Sequence, residues 1–310
     1  MAPTSGACCA GIDVGQSGLR ISIAGRRLHH GTGYLDDRGL VGVADAIAHT
    51  WPAATARTIG VGLTGDHSGH DLDTLAARLA EIAGATEVRL AHDSLTAHLG
   101  ALAGADGVVL SVGTGTAALA VVGRRTRRLD GWGHLLGDEG SGYAVGRAGL
   151  RAAAAALDER GPASLLLDEA VHRFGDLRAL RARHLPVAKV ADFARSVAAA
   201  ARANDAVAGA IWSEASRALT ATCETGIAWC RRQGLDPVPV CAVGGLLAAD
   251  ELLTVPWLHS LDAHPSVVLV EPIGDGLDGA LRLARMTPDE ATKIGARTTA
   301  TGAPLNRDGG

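Results

Sequence analysis

The chain has 310 residues, a formal net charge of −4 and 47% hydrophobic residues, which is typical of a globular protein with a sizeable core. Only 3% of the residues are aromatic and no basic stripe is present. Phosphate neutralisation dominates binding to nucleic acids and to anionic membranes, so the sequence argues against both as partners.

Only two of the 29 basic residues, Lys189 and Lys293, are lysines, and neither follows a glycine loop. A P-loop needs Lys directly after its glycines, and a protein kinase needs a strand Lys on the phosphates, so both classes are excluded.

The five cysteines are scattered without a C-x-x-C pair, which is typical of a reducing compartment. No apolar leader or run of spanning length is visible, so we expect a cytoplasmic protein.

The apolar pattern of the first half predicts the order βββαβαβα. Two strands in residues 8–23 flank the turn Val14-Gly15-Gln16-Ser17-Gly18, and a weak third strand follows over 27–34. The elements predicted next are a helix at 40–50, a strand at 58–63, a helix at 72–83, a strand at 87–91 and a helix at 94–102.

The pattern then restarts with a strand at 107–112, the turn Gly113-Thr114-Gly115-Thr116 and a strand at 117–122. Val14 to Ser17 aligns with Val112 to Gly115, which suggests two related halves. Later elements are predicted at 141–157, 163–174, 190–203 and 206–232 as helices, 238–243 and 266–270 as strands, and 277–286 as a helix. We therefore predict an N-terminal half over 1–105, a C-terminal half over 106–296 and a disordered tail over 297–310.

Asp13 lies at a predicted strand end and is followed by glycines and the hydroxyl of Ser17. Consecutive N–H groups of such a turn can face a phosphate while the carboxylate faces its metal, although an ordinary hairpin turn has the same residues. Gly113 to Thr116 offers the same chemistry and the same alternative.

Asp93 stands between a predicted strand and a predicted helix. A carboxylate in that position either caps the helix or accepts a proton from a substrate hydroxyl.

The loop that contains His67 and His70 is interpreted as a solvated loop rather than a metal site. Gly244-Gly245 after a strand indicates an adenine-facing turn or merely a helix entry.

The most unusual stretch is Gly131 to Gly142, with the sequence G-W-G-H-L-L-G-D-E-G-S-G, immediately before a long helix. Asp138 and Glu139 can be explained as acids in the first turn of that helix. So many glycines beside an indole are costly unless the backbone must approach another group closely, so a functional segment is favoured.

Taken in order, these motifs resemble the N-acetylglucosamine kinase-like proteins of the BadF/BadG/BcrA/BcrD ATPase group, within the actin, hexokinase and sugar-kinase superfamily. The resemblance covers most of residues 8–290, and Gly131 to Tyr143 is its most specific part. It implies a two-domain actin-like ATPase fold of the ribonuclease H type, with duplicated βββαβαβα halves around an interdomain cleft. It further implies ATP and Mg²⁺ as cofactors and a small-molecule sugar as substrate.

The same resemblance implies a role for each matching residue. Asp93 would be the general base, and Asp13 would hold Mg²⁺ through water. The residues that would bind ATP are Asp13, Gly15, Gln16, Ser17, Gly113, Thr114, Gly115, Gly244 and Gly245. The residues that would bind the sugar are Thr64, Gly65, Asp93, Thr116, Ala117, Trp132, Gly133, His134 and Asp138.

We therefore expect an ATP-dependent kinase that phosphorylates a hydroxyl of an amino sugar of the N-acetylglucosamine or glucosamine type. The first alternative is an ATPase activator of a CoA-ester reductase or dehydratase, which needs cysteines that bridge an iron–sulfur cluster. The second is a catalytically silent sensor of a sugar or nucleotide. The long alanine-rich helices fit packing within the chain or against a second subunit, so a homodimer stays open.

Overall fold

The structure is a computed structural model that describes residues 9–16, 18–30, 38–65, 72–180 and 185–300. Some predictions fall outside the described residues. They concern Ser17, the Gly31 to Tyr34 end of the third strand, the loop with His67 and His70, and the tail from residue 301.

Strands and helices alternate along the chain in the order expected for an α/β protein. The described strands are β1 (Cys9–Val14), β2 (Leu19–Ile23), β3 (Arg26–His30), β4 (Thr58–Leu63), β5 (Glu87–His92), β6 (Gly107–Val112), β7 (Thr116–Val122), β8 (Arg125–Asp130), β9 (Val238–Val243), β10 (Val267–Leu269) and β11 (Arg297–Ala300). The described helices are α1 (Gly39–Thr50), α2 (Leu72–Ala83), α3 (Asp93–Ala101), α4 (Gly133–Leu136), α5 (Gly142–Leu157), α6 (Leu166–Phe174), α7 (Leu177–Leu180), α8 (Val187–Asp192), α9 (Ala194–Arg202), α10 (Ala206–Arg232), α11 (Val255–Asp262), α12 (Gly276–Arg285) and α13 (Pro288–Lys293). A 3₁₀ turn at Gly245–Ala248 and a π-helical turn at Asp250–Thr254 precede α11.

The chain forms two compact units. Unit 1 comprises Met1–Ala105, Gly123–Thr126 and Pro272–Gly310, and unit 2 comprises Asp106–Val122 and Arg127–Glu271. This differs from the predicted division, which assigned everything from 106 to 296 to one half. The difference arises because α12 packs on β1, β4 and α3, contacts that local sequence patterns do not reveal.

The sheet of unit 1 has the strand order β11-β5-β4-β1-β2-β3. β1, β4 and β5 run parallel, whereas β2, β3 and β11 join antiparallel. β4 is buried along its whole length, which fits its continuous run of small and apolar residues. A side chain at Gly60 would meet the Ala280 carbonyl oxygen at 2.1 Å, and one at Gly11 would meet the Leu281 nitrogen at 2.7 Å. The backbone of α12 therefore lies directly on the sheet.

The sheet of unit 2 has the strand order β10-β9-β6-β7-β8. β6 pairs antiparallel with β7 and parallel with β9, so the β6–β7 hairpin repeats the arrangement of β1 and β2. The core on this sheet combines Val and Leu with Trp212 and Phe193, which are almost fully buried. Within the described residues, no helix is both long and apolar enough to cross a bilayer.

Several predicted elements are wrong in detail. Residues 297–300 form β11 beside β5, so the prediction of a disordered tail is wrong for these four residues. The helix predicted over 190–203 is broken into α8 and α9 at Phe193, whose ring packs against Phe174 with centroids 5.8 Å apart. β8 was not predicted because its sequence R-T-R-R-L-D is charged and mostly exposed.

Candidate functional site

The first predicted phosphate turn lies in unit 1, between β1 and β2. Asp13 pairs in register with Arg20 across the two strands, and both Arg20 Nε and Nη2 donate to Asp13 Oδ2, at 3.0 and 2.6 Å. The side chain of Asp13 is only 14% exposed. The β-hairpin thus supplies both members of this ion pair locally.

The Asp13 carboxyl has a pKa above its ordinary value. Burial is the main cause, the Arg20 guanidinium opposes it, and the charges of Asp93 and Asp275 add to the rise. The carboxyl groups of Asp13, Asp93 and Asp275 therefore share one electrostatic environment in unit 1.

The turn itself is closed by a hydrogen bond from Gly15 N–H to the Gly18 carbonyl at 2.9 Å. The Gly15 N–H is used within the turn in this structure, so its contact with a phosphate stays a prediction. The Gln16 side-chain oxygen is buried and has no hydrogen-bond partner among the described residues. Thr64 N–H donates to Val14 O at 3.0 Å, which places Thr64 and Gly65 beside this turn.

Asp93 is the first residue of α3, and its side chain is 33% exposed. The helix is capped by His92, whose Nδ1 accepts from Ser94 N–H at 3.1 Å, so the alternative that Asp93 merely caps the helix is wrong. The same Nδ1 lies 2.9 Å from Asp93 Oδ1. The Asp93 carboxylate is accordingly left partly exposed at the carboxyl end of β5.

The second predicted phosphate turn lies in unit 2, between β6 and β7. Gly113 N–H closes this turn by donating to Gly115 O at 2.9 Å, so its contact with a phosphate likewise stays a prediction. The Gly113 and Thr114 carbonyls accept from Gly142 N–H and Tyr143 N–H, at 2.9 and 3.0 Å. Both carbonyls are therefore turned toward the first turn of α5.

These two carbonyls fix the direction of the N–H groups that follow them. In a trans peptide the C=O and N–H point in opposite directions, so the Thr114 and Gly115 N–H groups point away from α5. Neither makes a backbone hydrogen bond among the described residues. Two successive N–H groups that face the same side form a concave anion site, which we call the amide nest.

Asp138 packs against the same turn. The residue is only 6% exposed, its Oδ1 accepts from Thr116 N–H at 3.3 Å, and a side chain at Gly115 would meet Oδ2 at 2.8 Å. Asp130 in turn accepts from the N–H groups of Asp138 and Glu139, at 2.8 and 3.0 Å. The burial of Asp138 favours a role in fixing the turn over the predicted contact with sugar hydroxyls.

Thr116 lies where the turn meets β7. Its residue is 3% exposed, and its hydroxyl has no hydrogen-bond partner among the described residues. Ala117 follows, and a side chain at Gly131 would lie 3.0 Å from the Ala117 Cβ. The structure thus brings Thr116 and Ala117 together with both ends of the Gly131 to Gly142 segment.

The middle of that segment is more open. Trp132 is 69% exposed, Gly133 begins the short helix α4, and the ring of His134 lies 4.9 Å from that of Tyr143. On one side, His134 and Gly140 line a cavity of about 840 Å³ between α5 and α10. The segment therefore has one face on the amide nest and another on this cavity.

The predicted adenosine turn also lies in unit 2. Gly244 has φ +124°, and a side chain there would meet the Val112 carbonyl oxygen at 2.1 Å. Only glycine fits this close approach. Gly244 and Gly245 therefore stand beside the end of β6, next to the second phosphate turn.

The partners of these residues were not predicted from the sequence. Arg20 binds Asp13 and Asp275, Asp278 pairs with Arg27, and Asp130 accepts from Asp138 N–H. A glycine-rich helix start, Gly274-Asp275-Gly276-Leu277-Asp278-Gly279, was the available signal for Asp275 and Asp278. The predicted residues thus form one group in each unit, with Asp13, Thr64, Gly65 and Asp93 in unit 1.

Comparison with known proteins shows the family of the chain. The BadF/BadG/BcrA/BcrD ATPase family matches residues 40–284. The chain is 24% identical over 244 residues to the N-acetylmuramic acid/N-acetylglucosamine kinase of Clostridium acetobutylicum, across 74% of this chain and 77% of that protein.

Solved structures give the same fold. A protein from Chromobacterium violaceum, described provisionally as an N-acetylglucosamine kinase, is 26% identical with a TM-score of 0.69, across 89% of this chain and 98% of that one. A ROK family glucokinase from Streptomyces griseus, solved with glucose and AMPPNP, is 20% identical with a TM-score of 0.56, across 90% and 99%. These similarities confirm the predicted two-domain actin-like fold class.

Proposed function

The chain belongs to the BadF/BadG/BcrA/BcrD ATPase family, and from this premise we propose that it is an ATP-dependent amino-sugar kinase. It would transfer the γ-phosphoryl group of ATP to a hydroxyl of a sugar of the N-acetylglucosamine or glucosamine type. The observation that carries the proposal is the amide nest, in which the Thr114 and Gly115 N–H groups point to one side and have no backbone partner in the described part of the chain. Such a nest suits phosphate oxygens.

Asp93 is the proposed general base. Its carboxylate is partly exposed, and among the described residues it makes no capping hydrogen bond to α3, so it can accept the proton of a sugar hydroxyl. The hydroxyl oxygen then bonds to the γ-phosphorus as the bond to the β–γ bridging oxygen breaks, and ADP leaves. Thr116 Oγ1, which is buried without a partner among the described residues, would hydrogen-bond a phosphoryl or sugar oxygen.

Asp13 is the proposed residue for Mg²⁺. Among the described residues, no cluster of three or more His, Cys, Asp or Glu side chains is arranged to hold a metal. Mg²⁺ commonly uses one or two carboxylates, several waters and the substrate phosphates, so a single carboxylate fits this ion. When bound, Mg²⁺ supplies positive charge against the phosphate oxygens, and Asp13 would hold it through water.

The cysteines argue against an ATPase activator, which would need them to bind an iron–sulfur cluster. Burial raises the pKa of Cys223 and of Cys241 to about 12, and that of Cys230 to about 11. A cluster needs thiolates, and buried thiols of this kind are poor ligands. Among the described residues, Cys223, Cys230 and Cys241 are buried thiols outside any disulfide bond, which supports the proposed cytoplasmic location. A homodimer stays a prediction, and size-exclusion chromatography with light scattering checks it.

A coupled ADP-release assay with Mg·ATP tests the function directly. The panel contains glucose, glucosamine, N-acetylglucosamine, N-acetylmuramic acid and N-acetylmannosamine, with a control without sugar. We expect strong stimulation by an amino sugar. Sugar-independent turnover favours the ATPase activator, and sugar binding without turnover favours the silent sensor.

Asp93→Asn tests the base within that assay. We expect turnover to fall about 10²-fold or more, because the amide cannot accept the proton, while ADP binding measured by calorimetry is retained. Glu81→Gln is the matched control, since Glu81 is an exposed carboxylate on α2 of the same unit. Unchanged turnover in Asp93→Asn contradicts the base assignment.

A further inference from the structure

A chain of alternating charges connects the first phosphate turn to α12, and we call it the arginine ladder. Its members are Asp13, Arg20, Asp275, Arg27 and Asp278. Arg20 bonds Asp13 through Nε and Nη2 and Asp275 through Nη1, the last at 2.7 Å. Arg27 bonds Asp275 at 3.1 Å and also pairs with Asp278. All five residues lie in unit 1.

The ladder ends on a firmly held helix. Asp275 Oδ1 caps α12 by accepting from Leu277 N–H and Asp278 N–H, at 3.0 and 3.1 Å, and Asp278 bonds back to Asp275 N–H at 3.0 Å. At the other end, buried Arg89 donates to the carbonyls of Leu283 and Ala284, at 2.9 and 2.8 Å. α12 is therefore held at both ends, and Arg20 is bound to its N-terminal end through Asp275.

Arg20 uses only one oxygen of Asp13. Both of its hydrogen bonds to this carboxylate go to Oδ2, and Oδ1 receives none from the described residues. A side chain at position 276 would lie 3.0 Å from Oδ1, so Gly276 leaves the space beside that oxygen open. The carboxylate is thus held in a single orientation, with one oxygen taken and the other available.

We propose that Arg20, braced by Asp275, is a positioning residue that aims Asp13 Oδ1 at the Mg²⁺ of a magnesium–nucleotide complex. The proposal rests on the proposed function, because that function places Mg²⁺ at Asp13. Partners that orient a metal-binding carboxylate commonly contribute about 10- to 100-fold to metal affinity. Arg20 contacts neither metal nor nucleotide directly in this arrangement.

The test compares ADP binding with excess Mg²⁺ and with EDTA, measured by calorimetry on Arg20→Met, Arg20→Lys and Arg27→Met. We expect Arg20→Met to lose about tenfold or more of the Mg²⁺-dependent gain in affinity, with unchanged binding in EDTA. Arg20→Lys keeps the charge but not the two-pronged geometry, so it should fall in between. Arg27→Met also breaks a bond to Asp275 but leaves Asp13 paired, and it should keep the Mg²⁺ gain.

Thermal melts separate positioning from stability. A merely structural role predicts that Arg20→Met and Arg27→Met lose Mg²⁺-dependent binding in proportion to their loss in Tm. The proposal is overturned if Mg²⁺ increases the ADP affinity of Arg20→Met as much as that of the wild type. It is also overturned if Mg²⁺ does not change the ADP affinity of the wild type. If Arg20→Met is unfolded, Arg20→Lys decides, because a wild-type Mg²⁺ gain in that variant also overturns it.

The sugar assay keeps this outcome distinct from the proposed function. A chain without sugar-dependent turnover, but with an Arg20-dependent Mg²⁺ gain, retains the positioning role and loses the kinase assignment. A chain with sugar-dependent turnover and no such gain retains the kinase assignment and loses the positioning role.

Discussion

The two phosphate hairpins share a backbone arrangement and differ in how their charges are supplied. In the β1–β2 hairpin, the residues paired before the turn are Asp13 and Arg20, which form an ion pair. In the β6–β7 hairpin, the corresponding pair is Ser111 and Ala117, which carries no charge. Its carboxylate comes instead from Asp138, which binds the turn through Thr116 N–H.

This difference divides the chemistry between the hairpins. A carboxylate whose second oxygen receives no hydrogen bond from the described residues, as in Asp13, suits a cation. A carboxylate buried against the backbone, as in Asp138, is used to hold a turn whose remaining N–H groups suit an anion. We therefore expect substitutions at the first hairpin to change activity, and substitutions at the second to change stability first.

The largest expected effect is that of Asp13→Asn on activity. Losing the charge should reduce kcat/KM by about 10²- to 10³-fold, the usual loss when a positioned electrostatic group is removed. The measurement is the coupled assay with the best sugar, and circular dichroism should show a native fold. A variant that unfolds, or one that keeps full activity, contradicts the division.

The opposite result is expected at Asp138. Asp138→Ala leaves the buried Thr116 N–H without its acceptor and should lower the free energy of unfolding by about 2 kcal/mol in urea melts. Asp138→Asn is the control, because Asn keeps an acceptor and tolerates the φ of +59° at this position. Equal stability of the Ala and Asn variants argues against the turn-holding role.

Glycine substitutions give a position-specific effect at the same turn. A Cβ at Gly115 would lie 2.8 Å from Asp138 Oδ2, so Gly115→Ala should push the carboxylate aside and cost about 1–3 kcal/mol. A Cβ at Gly113 would meet nothing within 4 Å, so Gly113→Ala should change stability by less than about 0.5 kcal/mol. Similar losses in both variants indicate that the turn is sensitive to any side chain.

Local patterns sufficed to predict both hairpins. Buried strands rich in Ile and Val end at glycines, and the predicted bounds of β4, β6 and β9 agree with the structure. The sequence also drew attention to Asp13, Asp93 and Asp138, because each follows or precedes a glycine-rich or strand-end position.

The partners of these residues were not predictable in the same way. Asp275 lies 255 positions from Arg20, and only the packing of α12 on β1 and β4 brings the two together. The hydrogen bond from Thr116 N–H to Asp138 was not predicted either, because acids before a helix look alike in sequence whether they face solvent or a turn. Tertiary contacts of this kind leave no periodic signal.

The smallest expected effect, and the finest test of the comparison, is a pH dependence at Asp13. Its pKa is raised in the folded protein, mainly by burial, so the folded state binds this proton more tightly than the unfolded state does. The stability that this group contributes is present below its ordinary pKa and is lost as the pH rises through the higher, folded value. Asn does not ionise, so the Asp13→Asn variant does not lose stability in this way. As the pH rises through the folded pKa of Asp13, the free energy of unfolding of the variant should therefore increase relative to that of the wild type. Urea melts of both proteins across the acid range measure this difference, and a constant difference contradicts the raised pKa.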